Sequence, residues 1–149
     1  MQREVADFLV CLKRDFSELR FLEGRRFMYR PARTIYYENM GFLEGVGVDL
    51  ELSQKLIQEY KLQVLHEVGH ALSEHKFFRT DLQRVKMERE AWERARGLCE
   101  QYGVVYNEEF VEEKMDTYRE WLHRKSRCPE CGLTRYQTKD GRYHCPGCE

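Results

Sequence analysis

Apolar side chains recur along the chain with two periods, one typical of helices and one typical of strands. A first helix is predicted for residues 5–22, where apolar residues recur every three or four positions. Residues 25–30 and 34–38 are rich in aromatic and β-branched residues and are separated by Pro31, so they predict two short strands. A glycine-rich loop follows, and residues 46–50 predict a third strand.

Three longer helices are predicted after residue 52, each with a recognisable signal at its start. Ser53 is the predicted N-cap of the first. Thr80 and Gln83 form a capping box for the second, which ends before Gly103. Asn107 caps the third. The predicted helices span about residues 53–75, 80–102 and 107–125.

Composition limits the class of protein. The chain has 149 residues, of which 42% are hydrophobic, enough for one compact domain with a small appendage. Its formal net charge of −1 gives no general attraction to nucleic acids or anionic membranes. No apolar run approaches the ~20 residues of a membrane span, and the first residues lack the apolar segment of a secretory signal. Four of six cysteines form two Cys-x-x-Cys pairs, which suits zinc-bound thiolates better than disulfides. We therefore expect a cytoplasmic protein without membrane contact.

Residues 66–70, His-Glu-Val-Gly-His, lie within the first of these longer helices and carry the strongest chemical signal. Side chains four apart share a helix face, so His66 and His70 can both direct a ring nitrogen at one Zn²⁺. Glu67 lies about 100° further round the helix, where its carboxylate can take a proton from a water activated by the metal. The flanking residues are mostly apolar, and a buried His-Glu-His face requires a metal or other strong partners. The pattern predicts a zinc-dependent peptidase with Glu67 as the catalytic base.

A catalytic zinc site usually has three protein ligands and a water, so a third ligand must follow the two histidines. The next predicted helix offers Glu88, Glu90 and Glu93. Glu88 lies near the centre of the apolar stripe of that helix, whereas Glu90 projects to the opposite side and Glu93 lies off the stripe. A carboxylate in an apolar face is costly unless it is paired or bound to a metal. Glu88 is therefore the predicted ligand, and an ion pair with Arg84 or Arg89 is the alternative.

His75 lies five residues beyond His70 and is a further candidate for a ligand or a substrate contact. On a continuous helix this spacing turns its side chain well away from the ligand face. A solvated histidine near a helix C-terminus is also favoured by the helix dipole. We therefore expect His75 to be exposed at the helix end, without a role at the metal.

Residues 66–72, HEVGHAL, followed by residues 88–95, EREAWERA, resemble the ImmA/IrrE group of gluzincin metallopeptidases. The pattern of that group is His-Glu-x-Gly-His on one helix and Glu-x-Glu-Ala-Asn/Asp-x-Phe-Ala on the next. The resemblance implies that Glu88 is the third zinc ligand and that the substrate is a repressor or another specific regulatory protein. Trp92 and Arg94 depart from the pattern, since Asn or Asp and then Phe are usual there. The structural support of the histidine ligands must therefore come from elsewhere in the chain.

The C-terminal residues carry two Cys-x-x-Cys pairs at the spacing of a zinc ribbon. Each pair is a tight turn that presents two thiolates, and two pairs close a tetrahedral structural site. With so few residues, metal binding itself must supply the folding free energy. The dipeptide Asp140-Gly141 predicts the hairpin turn between the pairs. A redox-active dithiol is the alternative, and it is weakened because both pairs occur at ribbon spacing. The predicted ligands are Cys128, Cys131, Cys145 and Cys148.

Basic and aromatic residues of the ribbon and its linker are compatible with nucleic-acid contact. A His-Glu-x-x-His domain followed by a C-terminal ribbon is similar to the architecture of SprT-like proteases, which act on DNA-bound proteins. Their third ligand is usually a histidine shortly downstream, which this chain lacks at a suitable position. A cap or a protein-interaction module is the alternative role for the ribbon. The residues concerned are Lys125, Arg127, Arg135, Lys139, Arg142, Tyr136 and Tyr143.

Together these features predict an α+β fold with two parts. Residues 1–125 are expected to form a minimal zincin metallopeptidase domain, with a small sheet packed on helices, and residues 126–149 a zinc ribbon that folds by itself. The expected activity is that of a metalloendopeptidase with one catalytic and one structural Zn²⁺, acting on a specific regulatory or DNA-bound protein. The alternative is a non-catalytic DNA- or protein-binding regulator that keeps the zincin fold as a scaffold.

The substrate is expected to bind in extended form along one edge of the sheet, as an added strand. Residues 33–38 are the best candidate for that edge, so Ile35, Tyr36 and Tyr37 are the predicted substrate-binding residues. Tyr36, Tyr37 and Tyr106 are the candidates for a hydroxyl that donates to the oxyanion, and the sequence does not choose among them.

Overall fold

The described part of the protein contains four helices and five short strands, which is the α+β class expected from the sequence. The computed structural model describes residues 2–39, 41 and 49–149. Within these ranges no helix combines the length and the apolar composition that crossing a membrane requires. In chain order the elements are α1 (Gln2–Asp15), β1 (Arg20–Gly24), β2 (Met28–Arg30), β3 (Thr34–Glu38), α2 (Leu50–Leu72), α3 (Asp81–Cys99), α4 (Glu108–Ser126), β4 (Tyr136–Gln137) and β5 (Tyr143–His144).

The chain divides into two compact units. The first consists of Met1–Lys76 and Glu90–Asn107, and the second of Phe77–Arg89 and Glu108–Glu149. Helix α3 contributes its first half to the second unit and its second half to the first. The four cysteines are thus grouped with α4 and the start of α3. The predicted domain boundary after residue 125 stays a prediction.

The first unit holds a three-stranded sheet in the order β1–β3–β2. β1 runs parallel to β3, with Phe21 opposite Ile35, and β2 runs antiparallel to β3, with Tyr29 opposite Ile35. β3 is therefore the central strand. The prediction that residues 33–38 offer a free edge is wrong, because strands on both sides engage the main-chain groups of β3.

The first helix is shorter than predicted, since α1 ends at Asp15 and residues Arg20–Gly24 form β1. Leu19 and Phe21 are buried while the residue between them is exposed, which is the alternation of a strand. A hydrogen bond from the Leu19 N–H to the Phe16 carbonyl, at 2.9 Å, closes the turn between the two elements. The prediction of one helix to residue 22 is wrong, because Leu19 and Leu22 continue the helical spacing although they lie outside α1.

Helix α2 begins at Leu50, earlier than predicted. The carboxylate of Asp49 caps it by accepting a hydrogen bond from the Leu52 N–H at 2.7 Å. The predicted cap Ser53 lies inside the helix and is buried, so that prediction is wrong by one turn. The third strand predicted at residues 46–50 falls mostly outside the described residues, and its last residue is helical.

The core of the first unit is dominated by α2. Burying a large aliphatic side chain contributes about 1.5–3 kcal/mol to stability, and α2 supplies most of the side chains of this kind. The helix is therefore held firmly at the level of the His-Glu-Val-Gly-His segment. The largest fully buried side chains are Leu12, Ile35, Ile57, Leu62, Val64, Leu65 and Val68.

The predicted ends of α3 and α4 agree well with the structure. The Gln83 N–H donates to Thr80 Oγ1 at 3.3 Å, and the Thr80 N–H donates to Gln83 Oε1 at 3.1 Å, so the capping box is confirmed. Gly103 adopts a φ of 61° shortly after α3 ends. The hairpin predicted around Asp140-Gly141 is also confirmed, since β4 and β5 pair in antiparallel fashion and Gly141 has a φ of 86°.

Candidate metal centres

The His-Glu-Val-Gly-His segment lies in the most buried part of α2. His66, Glu67 and His70 are only 4%, 6% and 8% exposed. Polar groups buried this deeply are costly unless they have strong partners. The two histidines face each other, with His66 Nε2 and His70 Nε2 3.1 Å apart.

The geometry of this group suits a metal ion. One ligand atom from each of His66, His70 and Glu88 lies within 4.8 Å of the others, and all three residues are buried. Two nitrogens bound to one Zn²⁺ at ~2.0–2.1 Å with a tetrahedral angle are about 3.3 Å apart, close to the distance between the histidine nitrogens. Two imidazoles and a carboxylate form a donor set that Zn²⁺ takes when it keeps an open position. The residues therefore fit a catalytic metal.

Gly69 allows the backbones of α2 and α3 to meet. A Cβ atom at Gly69 would lie 2.2 Å from the carbonyl oxygen of Ala91, which no side chain tolerates. The next residue on α3, Trp92, stacks on the ring of His66, with centroids 3.9 Å apart. Glu88 precedes Ala91 and Trp92 by one helical turn on the same face. Because Ala91 and Trp92 pack on α2, the face of α3 that carries Glu88 is turned towards α2.

Glu88 is the glutamate that joins this group, among the three that the sequence offered. Glu88 is only 9% exposed, whereas Glu90 and Glu93 are exposed to solvent. The helix-face argument and the family resemblance both pointed to Glu88. Arg84, which the alternative reading paired with Glu88, has its guanidinium 4.9 Å from the ring centre of Trp121. The role of Glu88 as a ligand stays a prediction, now with favourable geometry.

His75 contradicts the expectation of a solvated residue at a helix end. It is only 8% exposed, and its Nδ1 lies 2.8 Å from His70 Nδ1. Its Nε2 lies 3.0 Å from Glu90 Oε2. The prediction failed because α2 ends at Leu72 and Glu74 adopts a φ of 52°, which turns the chain back towards the histidines. No pattern in the sequence indicates that Glu74 adopts a left-handed conformation.

Strand β2 passes beside the histidines. The ring of Tyr29 is parallel to the ring of His70, with an interplanar angle of 1° and centroids 6.2 Å apart. Burial raises the pKa of Tyr29, so its hydroxyl keeps its proton at neutral pH. Within the described residues, β2 pairs with β3 on one side and has its other edge free. The sequence predicted this strand but gave no sign of its position in the sheet.

The three predicted substrate-binding residues lie on the central strand instead. Ile35 is fully buried in the core. The ring of Tyr36 lies 5.3 Å from the guanidinium of Arg30, and the ring of Tyr37 lies 5.5 Å from Lys13 Nζ. Their assignment depended on a free edge at β3, whereas among the described strands β1 and β2 pair with β3 on its two sides.

The four cysteines form the other metal-binding group, in the second unit. One Sγ from each lies within 4.8 Å of the others. The Sγ atoms of Cys128 and Cys148 are 3.8 Å apart, and those of Cys131 and Cys145 are 3.4 Å apart. Sulfurs bound to one tetrahedral Zn²⁺ at ~2.3 Å are about 3.8 Å apart. The sequence-predicted cysteines are thus brought together in an arrangement that fits one metal.

The pKa values of two cysteine thiols are shifted in opposite directions. Backbone N–H groups of Cys131 and Glu130 lower the pKa of Cys128 to about 6. Hydrogen bonds with neighbouring thiols, above all that of Cys131, raise the pKa of Cys148. A metal that takes Cys148 as a thiolate must therefore displace its proton, which makes binding pH-dependent.

Asp81, the first residue of α3, joins the hairpin to the helix. It is 4% exposed, and its carboxylate accepts hydrogen bonds from the Tyr143 hydroxyl at 2.5 Å and from Lys125 Nζ at 3.0 Å. Its backbone N–H donates to Gln137 Oε1 at 2.7 Å. Asp81 and Glu88 are two turns apart on the same side of α3. The sequence analysis missed this contact, because Asp81 resembles an ordinary acidic residue in a first helical turn.

Three of the basic residues considered for nucleic-acid contact have partners inside the second unit. Lys125 pairs with Asp81, and the guanidinium of Arg135 donates to the Lys125 carbonyl at 2.8 Å. Arg142 lies 3.5 Å from a carboxylate oxygen of Asp140. Each internal partner lowers the availability of the side chain to a phosphate. Contact with nucleic acid stays a prediction.

Comparisons of the chain with models of protein families, with curated proteins and with solved structures gave no match. The resemblance to the ImmA/IrrE group and the zincin fold therefore stay predictions.

Proposed function

We propose that the protein is a zinc-dependent metallopeptidase that hydrolyses peptide bonds in a protein substrate. The observation that carries the proposal is the buried group of His66, His70 and Glu88, with Glu67 beside the first histidine on the same helix. Zn²⁺ bound there supplies Lewis-acid chemistry: it lowers the pKa of a water and polarises a carbonyl. Structural zinc sites have four protein ligands, whereas this group contains three among the described residues.

Glu67 acts as the general base in this proposal. Its carboxylate takes a proton from the water as the oxygen adds to the substrate carbonyl carbon. The same carboxylate then gives that proton to the amide nitrogen as the C–N bond breaks. The Gln63 side-chain amide lies 3.4 Å from Glu67 Oε1 and helps to orient it.

The substrate binds in extended form along the free edge of β2. This strand replaces residues 33–38 as the proposed docking edge, because β2 has an unpaired side among the described residues and carries Tyr29 beside His70. Main-chain hydrogen bonds from an edge strand hold a peptide irrespective of its sequence. By resemblance to the ImmA/IrrE group, the substrate is a regulatory protein such as a repressor.

The four-cysteine group holds a second, structural Zn²⁺ in this proposal. Four thiolates leave no open position for a water or a substrate. The group therefore contributes stability, while the chemistry belongs to the histidine–glutamate group.

The decisive variant is Glu67→Gln, examined by mass-spectrometric profiling of the proteins that the zinc-loaded chain cleaves. The amide keeps the shape of the side chain but accepts no proton at neutral pH, so cleavage should fall by about 10²–10⁴-fold while both zinc ions remain bound. Glu59→Gln is the matched control, since on the same helix it removes only a surface ion pair with Lys55. If the zinc-loaded wild type cleaves no peptide bond, the chain is the non-catalytic regulator of the alternative reading. Unchanged cleavage by Glu67→Gln would overturn the role of Glu67.

A further inference from the structure

We propose that His75 and Glu90 are positioning residues that fix the tautomer and the orientation of His70. They thereby set the affinity of the histidine–glutamate group for its metal. The inference depends on the proposed function only in taking that group as a metal site.

A line of close contacts runs from the surface of α3 to the metal group. Glu90 Oε2 lies 3.0 Å from His75 Nε2, and His75 Nδ1 lies 2.8 Å from His70 Nδ1. The opposite nitrogen of the second ring, His70 Nε2, faces His66 Nε2 at 3.1 Å. The two nitrogens of His70 therefore have different tasks: Nδ1 meets His75, and Nε2 meets the metal group.

The order of donors and acceptors along this line follows from the chemistry of its end groups. An ionised carboxylate only accepts hydrogen bonds, so His75 Nε2 carries a proton and its N–H donates a hydrogen bond to Glu90. A neutral imidazole has one N–H, which leaves His75 Nδ1 as an acceptor. His70 Nδ1 must then be the donor, which places the ring lone pair on Nε2, the nitrogen that faces His66 Nε2. This is the tautomer that binds a metal through Nε2.

The backbone is strained at the residue that brings His75 into place. Glu74 adopts a φ of 52°, in the left-handed region that disfavours residues with a side chain. Strained residues persist where the surrounding contacts over-determine them, and they cluster at functional sites. A helix continued to residue 75 would avoid the strain, but it would lose the contact between His75 and His70.

The proposal also accounts for the departure from the family pattern at Trp92. In this chain the ring of Trp92 stacks on His66, with centroids 3.9 Å apart. A stacked ring restrains the plane of His66 but supplies no carboxylate to His70. The second histidine obtains its carboxylate from Glu90 through His75.

The test compares four variants of the full chain: His75→Phe, Glu90→Ala, Glu90→Gln and Glu93→Ala. Zinc affinity of the histidine–glutamate group is measured by competition with a chelator too weak to strip the four cysteines. Long-range ¹⁵N NMR of the metal-free chain reports which nitrogen of His70 carries the proton. Glu90 has a side chain that is 52% exposed, so its replacement leaves the fold intact.

His75→Phe and Glu90→Ala should each weaken zinc binding by about 10–100-fold, as is usual when the partner of a ligating histidine is lost. Glu90→Gln should have a smaller effect, because its amide oxygen still accepts a hydrogen bond from His75 Nε2–H. Glu93→Ala is the matched control and should stay within about twofold of the wild type. The His70 proton should lie on Nδ1 in the wild type and shift towards Nε2 in His75→Phe.

The results separate this inference from the proposed function. Wild-type zinc affinity and an unchanged His70 tautomer in both His75→Phe and Glu90→Ala would overturn the positioning role, even in an active peptidase. Weakened zinc binding in a chain that cleaves nothing would support the positioning role and refute the peptidase.

Discussion

The two candidate metal-binding groups of this protein are built in opposite ways. The four cysteines come from two tight turns in a short segment, and two of the four are exposed. The histidine–glutamate group comes from two long helices, and all of its members are buried. We expect the cysteine segment to fold only when a metal binds. In the histidine–glutamate group, the packing of the two helices holds the ligands in place even without a metal. Loss of metal should therefore have different structural consequences at the two groups.

The largest difference is expected when metal is withheld from the cysteines. Cys145→Ser, or a strong chelator, should unfold the hairpin β4–β5, because structural zinc supplies about 10–16 kcal/mol in small zinc modules. The sheet β1–β3–β2 and helix α2 should stay folded, since their core is apolar. Amide hydrogen exchange measures both regions in one experiment. If the amides of the hairpin remain protected from exchange without metal, the cysteine group does not depend on metal for its folding and the two groups do not differ in this respect.

Glu88→Gln should release the metal of the histidine–glutamate group and leave the cysteine-bound metal in place. Two histidines and a neutral amide form a much weaker site, so affinity should fall by more than about 100-fold. Zinc content after mild chelation measures the loss, and Glu93→Gln on the same helix is the control. If Glu93→Gln loses the metal instead, both the geometry at Glu88 and the resemblance of the second motif have been misread.

Gly69→Ala tests whether helix packing arranges the ligands. The new Cβ would lie 2.2 Å from the Ala91 carbonyl oxygen, so α2 and α3 must separate. The expected cost is about 3 kcal/mol or more of unfolding free energy, together with weaker zinc binding. Gly97→Ala is a matched control on α3, because its Cβ meets nothing within 4 Å. That change should stabilise the helix by about 0.5–1 kcal/mol. Thermal unfolding compares the two, and equal effects would show that close helix contact is unimportant.

Tyr143→Phe is the smallest change and asks whether the ribbon is as independent as the sequence suggested. It removes one hydrogen bond to the Asp81 carboxylate, worth about 1.5–3 kcal/mol for a charged acceptor. Amide exchange should increase in the hairpin and also in the first turn of α3. Tyr136→Phe is the control, since Tyr136 is 55% exposed. Faster exchange confined to the hairpin would support a ribbon that folds by itself.

The parts of the site that the sequence predicted are those that depend on local spacing. His66 and His70 are one turn apart on a helix, and each pair of cysteines lies in one turn. Glu88 required only the apolar stripe of α3 to be recognised. The capping box at Thr80 was recognisable for the same reason.

The parts that the sequence did not predict depend on single backbone conformations or on strand order. His75 contacts His70 because Glu74 adopts a left-handed conformation. The residue type at position 74 does not indicate this conformation. Leu19 and Leu22 continue the helical spacing of the preceding apolar residues, so the sequence pattern did not separate β1 from the first helix. The central position of β3 follows from its pairing with β1, which no local pattern records.

The shortness of β2 has a consequence for selectivity. Only Met28–Arg30 form the strand, so its free edge offers the main-chain groups of one or two residues. Even four hydrogen bonds at about 1 kcal/mol each give a dissociation constant of only about 1 mM. Freely diffusing peptides bound this weakly would dissociate long before they were cleaved. The proposed peptidase function therefore requires that a substrate also be tethered elsewhere on this protein or on a shared partner, where its effective local concentration reaches the millimolar range.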